Sequence, residues 1–275
     1  QVVTAPVILW HSFGMPVYGV FLNLIVIPLM TYVVISGFLG LGLSFLSESV
    51  GGAMLGGAHY ILKFYEVICN WTGELPGAEL VLGQPEIWKI GCYYGLMIFG
   101  AVVYERGMEI AENKKHRLVL LCAAWLAAFL LLLPSRQTGL SATFLDVGQG
   151  DGIVLRSESH TILVDCGSSQ QKSIGEKVPY LKSQGVTRLD LAVMTHGDQD
   201  HMNGIRYLLE HPESGIRVGG LMMPEAGKDE IYGKMAELAK KRDIPVFYAK
   251  KGDIWNNFPG KGISMECLSP DGGTE

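Results

Sequence analysis

Four side chains able to hold a metal ion stand within six residues of one another. The run His196-Gly-Asp-Gln-Asp-His201 carries His196, Asp198, Asp200 and His201. It follows a buried apolar run at 189–195 and precedes a helical pattern at 203–210. A strand-to-helix turn aims alternate side chains into one cleft. Imidazole and carboxylate together suit Zn²⁺, Mn²⁺ or Fe²⁺. Two such ions about 3.5–4 Å apart would clamp a phosphoryl group and generate a hydroxide nucleophile. The competing reading is a polar loop whose aspartates cap the following helix.

Two further acids stand upstream, in Phe144-Leu-Asp-Val-Gly-Gln-Gly-Asp151 and in Ile162-Leu-Val-Asp165-Cys-Gly167. Each closes an apolar β-rich run beside glycines, which let backbone approach closely. Asp151 and Asp165 can orient ligands from behind, or they simply terminate turns. The elements that must position these groups are legible in the change of period. Short β-rich runs at 141–146, 152–156 and 161–165 are followed by a helix at 174–184 and a strand at 189–195. Next come a helix at 203–210, a strand at 216–223, a helix at 230–242 and a strand at 245–249. A β-meander followed by βαβα units predicts an α/β sandwich with helices outside.

The other half of the chain has a different character. Charged residues make up 18% of the whole and mean hydropathy is +0.25, too apolar for an ordinary soluble protein, which carries about 25% charged residues. Residues 1–140 hold seven Lys/Arg and eight Asp/Glu, against fifteen and nineteen in 141–275. The boundary is placed at 139/140. A membrane-spanning helix needs about 20 mostly apolar residues. The stretch 116–134 meets that requirement cleanly, and 87–104 is a second candidate with Lys89 near its end. The uncharged stretch 17–46 is long enough for a span plus a re-entrant segment, with Pro28 expected to kink or break it. The stretch 53–69 reads as an amphipathic helix. The net charge of −5 provides no bulk basic field for nucleic acid, so contact with DNA requires a local patch or bound cations. The five cysteines form no CxxC pair. Both ends of the chain read as cuts through a longer protein.

Three runs together resemble the C-terminal domain of the ComEC family of DNA-internalisation competence proteins: Leu145-Asp-Val-Gly-Gln-Gly-Asp151, Leu163-Val-Asp-Cys-Gly167 and Thr195-His-Gly-Asp-Gln-Asp-His201. The general metallo-β-lactamase pattern is H-x-H-x-D-H, and Asp198 stands here at its second histidine, a replacement that family itself often shows. Phe13-Gly-Met-Pro16 and Leu22-Asn-Leu-Ile-Val-Ile-Pro28 resemble the end of the family's competence region. The resemblance implies a transmembrane helical region over 1–139 and the first half of an αββα metallo-β-lactamase-like domain over 140–275.

The resemblance also implies a role in DNA uptake. The membrane part would pass one strand, and the hydrolase domain would degrade the other by phosphodiester hydrolysis. Two divalent ions, Mn²⁺ or Zn²⁺, are implied. His196 and Asp198 would hold one, Asp200 and His201 the second. Asp200 would also orient the attacking water, with Asp151 near the metals. The family's remaining ligands come from later sequence, so residues 141–275 alone are expected to be inactive. Implied partners are DNA, membrane lipid and other competence-machinery proteins. Two alternatives stay open: an inactive hydrolase fold that only holds DNA, or a hydrolase of another phosphodiester. Arg106, Lys114, Lys115 and Arg117 cluster between two apolar stretches. Cytoplasmic loops carry the Lys/Arg excess, which predicts a multi-pass protein of the cell membrane with residues 141–275 outside the cytoplasm.

Overall fold

The computed structural model describes residues 2–75, 77–106, 114–135, 137–168, 178–225 and 230–269. The chain divides into two compact units, residues 1–5 with 14–80, and residues 6–13 with 81–275.

In the first unit, α2 (Gly19–Ser44) packs on α3 (Glu48–Gly73); the short helix α1 (Ala5–Ser12), which precedes them in sequence, belongs from Pro6 on to the second unit. Two three-residue strands, β1 (Gly14–Pro16) and β2 (Glu79–Val81), flank the helices. The packing is close because it is built on glycine. A Cβ added at Gly51 would lie 2.7 Å from the Gly40 carbonyl oxygen, and one at Gly40 would lie 2.8 Å from the Leu55 side chain. The Tyr65 hydroxyl donates to the Val26 carbonyl at 2.8 Å. Of the kink or break expected at Pro28, the break does not occur: α2 runs through it as one 26-residue helix, about 39 Å long at 1.5 Å per residue. That is one element, with no separate re-entrant segment.

The second unit includes a helical pair, α4 (Ile87–Arg106) and α5 (Lys114–Leu131). Tyr93, Met97 and Gly100 form the buried stripe of α4, and a Cβ at Gly100 would stand 3.0 Å from that of Ala124. The outward faces are apolar: Ile98, Phe99, Val102, Leu118, Val119, Leu126 and Leu130 are exposed. This inverts the pattern of a water-soluble helix. Among the described residues two helices, α2 and α4, are long and apolar enough to cross a membrane. Of the span expected over 116–134, residues 116–131 are helical: α5 ends at Leu131, and residues 107–113, before Lys114, lie outside the described residues. Its uncharged part, Leu118–Leu131, is about 21 Å long at the helical rise.

The α/β region is one six-stranded sheet in the order β10-β9-β7-β5-β4-β3. Strands β3 (Ser141–Phe144), β4 (Ile153–Arg156) and β5 (Thr161–Val164) form an antiparallel meander. Strands β7 (Leu191–Val193), β9 (Leu221–Pro224) and β10 (Val246–Ala249) continue it in parallel. The parallel strands are joined through α6 (Gln199–Glu210) and α7 (Glu230–Lys240), as parallel neighbours require a crossover. Two-residue strands β6 (Arg188–Leu189) and β8 (Arg217–Val218) pair at the side. Of the expected helix at 174–184, residues 178–183 are helical; 174–177 lie outside the described residues.

Side-chain alternation along the strands divides the core in two. Leu163, Ala192 and Leu221 are in register and face the helices, where Met202, Ile205, Leu208, Leu209, Tyr232, Met235 and Ala239 cover them. Leu163, Leu221, Ile205 and Leu209 are wholly buried, each stabilising the fold by about 1.5–3 kcal/mol. Ile162, Leu191 and Met222 point to the opposite face. A hairpin that the sequence did not announce, β11 (Ile254–Asn256) with β12 (Ser264–Glu266), packs there through Trp255 and Met265. Beside it lies an apolar cavity of about 410 Å³, lined in part by Leu155, Ile162, Val164, Val193 and Met265.

Candidate metal centre

Both metal-type motifs sit where parallel strands end, the edge at which α/β sheets place their sites. Asp165 follows β5, and Thr195-His196 follow β7, its neighbour in the sheet. The two ends are fastened by backbone. Cys166 N–H donates to the His201 carbonyl at 2.8 Å, Asp151 N–H to the Asp200 carbonyl at 3.3 Å, and Gly167 N–H to the Asp151 carbonyl at 3.1 Å. Glycine is required at these crossings. A Cβ at Gly167 would overlap the backbone of Asp200 and His201, and one at Gly204 would overlap the Cys166 carbonyl. A Cβ at Gly150, at φ +146°, would overlap the Asp200 and Gly167 carbonyls. The three motifs, far apart in sequence, are one interlocked structure.

The side chains converge from it. Ligand-type atoms of Asp165, His196 and His201 lie within 4.8 Å of one another. The two imidazole rings are 3.6 Å apart between centroids, tilted by 48°. His196 Nε2 lies 3.7 Å from Asp198 Oδ2, and His201 Nε2 lies 3.9 Å from Asp200 Oδ2. Asp151 Oδ2 stands 3.7 Å from His201 Nδ1. Of the residues singled out in the sequence, His196 and His201 are thus brought together with Asp165, while Asp198 stands by His196, and Asp200 and Asp151 by the two ring nitrogens of His201. Asp198 occupies the N-cap position of α6 but makes no side-chain cap hydrogen bond, so the capping alternative does not account for its carboxylate.

Asp165 is the residue the sequence undervalued. Its side chain is 6% exposed, and its backbone takes the left-handed conformation at φ 52°, which Asp tolerates better than most residues. That turn points the carboxylate back under the loop. Oδ1 accepts from Thr195 N–H at 2.8 Å, Oδ2 accepts from the Thr195 hydroxyl at 2.6 Å, and Oδ2 also faces His201 Nδ1 at 3.1 Å. With both oxygens engaged, Asp165 acts from behind the histidines. The one signal in the sequence was the acid between an apolar strand and Cys166-Gly167.

The donor set fits a divalent cation. Ligands at about 2.0–2.2 Å from one ion lie no more than about 4.4 Å apart. The His196–Asp198 and His201–Asp200 pairs, at 3.7 and 3.9 Å, meet this limit.

Residues 1–107 match the model of the Competence protein family, and residues 145–261 match that of the Metallo-beta-lactamase superfamily. The chain is 24% identical over 300 residues to ComE operon protein 3 of Bacillus subtilis (strain 168), covering 98% of this chain and 36% of that protein. It is 27% identical over 238 residues to Competence protein ComA of Neisseria gonorrhoeae, covering 86% of this chain and 31% of that protein. The chain thus spans about a third of the length of the curated relatives it matches.

Proposed function

From a chain whose first part is similar to competence proteins and whose second part is a metallo-β-lactamase superfamily domain, we infer a role in DNA uptake during natural competence. The region 1–139 forms part of a multi-pass membrane passage for a single DNA strand. The region 140–275 contributes to a metal-dependent nuclease, within an αββα architecture, that hydrolyses the strand not imported. The observation that carries this reading is the meeting of His196 and His201 with four carboxylates at the ends of β5 and β7.

His196 and Asp198 would hold one cation, and Asp200 and His201 a second. A divalent cation there, Mn²⁺ or Zn²⁺, supplies Lewis acidity toward a phosphoryl oxygen and lowers the pKa of water. Asp200, at the rim of the centre with its side chain 40% exposed, orients the attacking water. Asp151, more exposed still, stands 3.7 Å from His201 Nδ1. Water adds its oxygen to phosphorus, the ester P–O bond breaks, and the proton passes to the leaving oxygen. The chain's net charge of −5 offers no attraction to DNA, and cations held by these residues would supply it at the phosphate.

The test is DNA cleavage by the full-length protein in lipid nanodiscs. Cutting is expected with Mn²⁺ or Zn²⁺, is lost on chelation and returns when the cation is restored. A protein that binds the cation and cuts neither single- nor double-stranded DNA would overturn the nuclease reading and leave the DNA-holding fold and the hydrolase of another phosphodiester.

The catalytic region lies outside the cytoplasm, where it meets DNA before import. Ser168 is buried and makes a poor reporter of this, whereas Lys240 is exposed at the end of α7. In a cysteine-free background, Lys240→Cys is expected to react with a membrane-impermeant thiol reagent in intact protoplasts. Labelling only after lysis would reverse the orientation.

A further inference from the structure

Thr195 lies between the buried carboxylate and the first histidine, and its hydroxyl has one proton to give. An ionised carboxylate only accepts hydrogen bonds. Asp165 Oδ2 is 2.6 Å from Thr195 Oγ1, so the hydroxyl donates there. His196 Nδ1 is 2.9 Å from the same hydroxyl oxygen. With its proton already directed to Asp165, the oxygen can only accept from that nitrogen. The proton of a neutral His196 ring therefore belongs on Nδ1, and Nε2 keeps the lone pair that faces Asp198. Asp165 Oδ2 also faces His201 Nδ1 at 3.1 Å. The same argument puts the His201 proton on Nδ1 and turns its Nε2 toward Asp200.

We propose that Thr195 is a positioning residue. Its hydroxyl relays the Asp165 carboxylate to His196 and sets that ring's tautomer, so that one buried acid prepares both histidines to offer Nε2 to a cation. A histidine ligand is commonly oriented by a direct carboxylate or carbonyl partner on its other nitrogen; for His196 the carboxylate acts through an intervening hydroxyl. The arrangement is held firmly. Thr195 N–H also donates to Asp165 Oδ1 at 2.8 Å, and Asp165 N–H donates to the Val193 carbonyl at 2.8 Å. The hydroxyl is thereby fixed by the register of β5 against β7. The proposal rests on the metal-centre reading, yet it makes a claim about the metal-free protein as well.

The experiment uses the full chain, ¹⁵N-labelled at histidine, in nanodiscs without metal at mildly alkaline pH. Long-range nitrogen–proton correlation reads the tautomer of each ring. In the wild type, His196 Nε2 is expected to show the shift of an unprotonated ring nitrogen. Thr195→Val keeps the shape and removes the hydroxyl, and should give a mixture of tautomers at His196 while His201 is unchanged. Zn²⁺ affinity, read by competition with a chromophoric chelator, should fall about 10–100-fold, the usual cost of losing such an outer partner. Thr195→Ser should retain both properties, and Thr195→Ala should repeat the Val result if the Val variant does not fold. A Val or Ala variant with the wild-type tautomer and affinity, or a Ser variant that fails like them, would overturn the proposal. A wild type with the expected tautomer that binds no Zn²⁺ would instead sink the metal reading and leave the relay standing.

Discussion

Asp200→Ala is expected to abolish metal-dependent DNA cleavage while the protein stays folded. The side chain packs against nothing that the core needs: it is 40% exposed, with Oδ2 3.9 Å from His201 Nε2. Its loss removes one acid from the first turn of α6, a favourable dipole interaction of about 0.3–1 kcal/mol. Against this, Asp151, Asp165, Asp198 and Asp200 crowd the same two imidazoles. Without a cation these carboxylates repel, and removing one offsets the dipole loss. The metal-free variant should therefore unfold within a few degrees of the wild type. Cleavage should drop by more than the roughly 10–100-fold that follows loss of an outer partner, because both a ligand and the group that orients water are gone. Cleavage rate and thermal midpoint, measured on one preparation, check the two halves of this expectation. A variant that cuts at the wild-type rate removes Asp200 from the mechanism.

Gly167→Ala should be as damaging, although Gly167 offers no ligand atom. The added methyl would occupy space held by the backbone of Asp200 and His201. No rotamer relieves a clash with main chain, so the 165–167 turn must move away from α6. That movement breaks the Cys166 N–H bond to the His201 carbonyl and carries Asp165 away from Thr195. The cost should reach or exceed the roughly 1–3 kcal/mol of an overpacked core, and bound metal should be lost with it. Gly233→Ala is the matching control. It lies within α7, its added Cβ meets nothing within 4 Å, and it should stabilise by about 0.5–1 kcal/mol. Thermal unfolding and metal content separate the two. A Gly167→Ala protein with native stability and full metal would show that the motifs are not interlocked as described.

The loop His196–His201 was legible because ligand chemistry is written in residue types and needs no knowledge of the partner strands. The parallel strands β7, β9 and β10 were legible for a similar reason, since each is a short apolar run between helical patterns. Asp165 was harder to place. Its contribution depends on a left-handed turn and on Thr195, thirty residues away, which no local pattern reveals. The hairpin β11–β12 escaped notice because three-residue strands carry too little alternation to register. In the helical half, apolar residues continue to Leu133, but helix α5 stops at Leu131. Pro28 was expected to kink or break the helix on propensity alone. Helix α2 nevertheless continues through it, packed on α3 with Tyr65 bonded to the Val26 carbonyl just before it, an instance of tertiary contacts overriding a local preference.

The central claim is that His196, Asp198, Asp200 and His201 hold divalent metal. The most direct measurement is anomalous diffraction at the zinc edge from crystals of the full-length protein grown with Zn²⁺. The account predicts density between His196 Nε2 and Asp198, and between His201 Nε2 and Asp200, each about 2.0–2.2 Å from its ligands. Zinc bound elsewhere on the protein, with these four side chains free of it, would contradict the account.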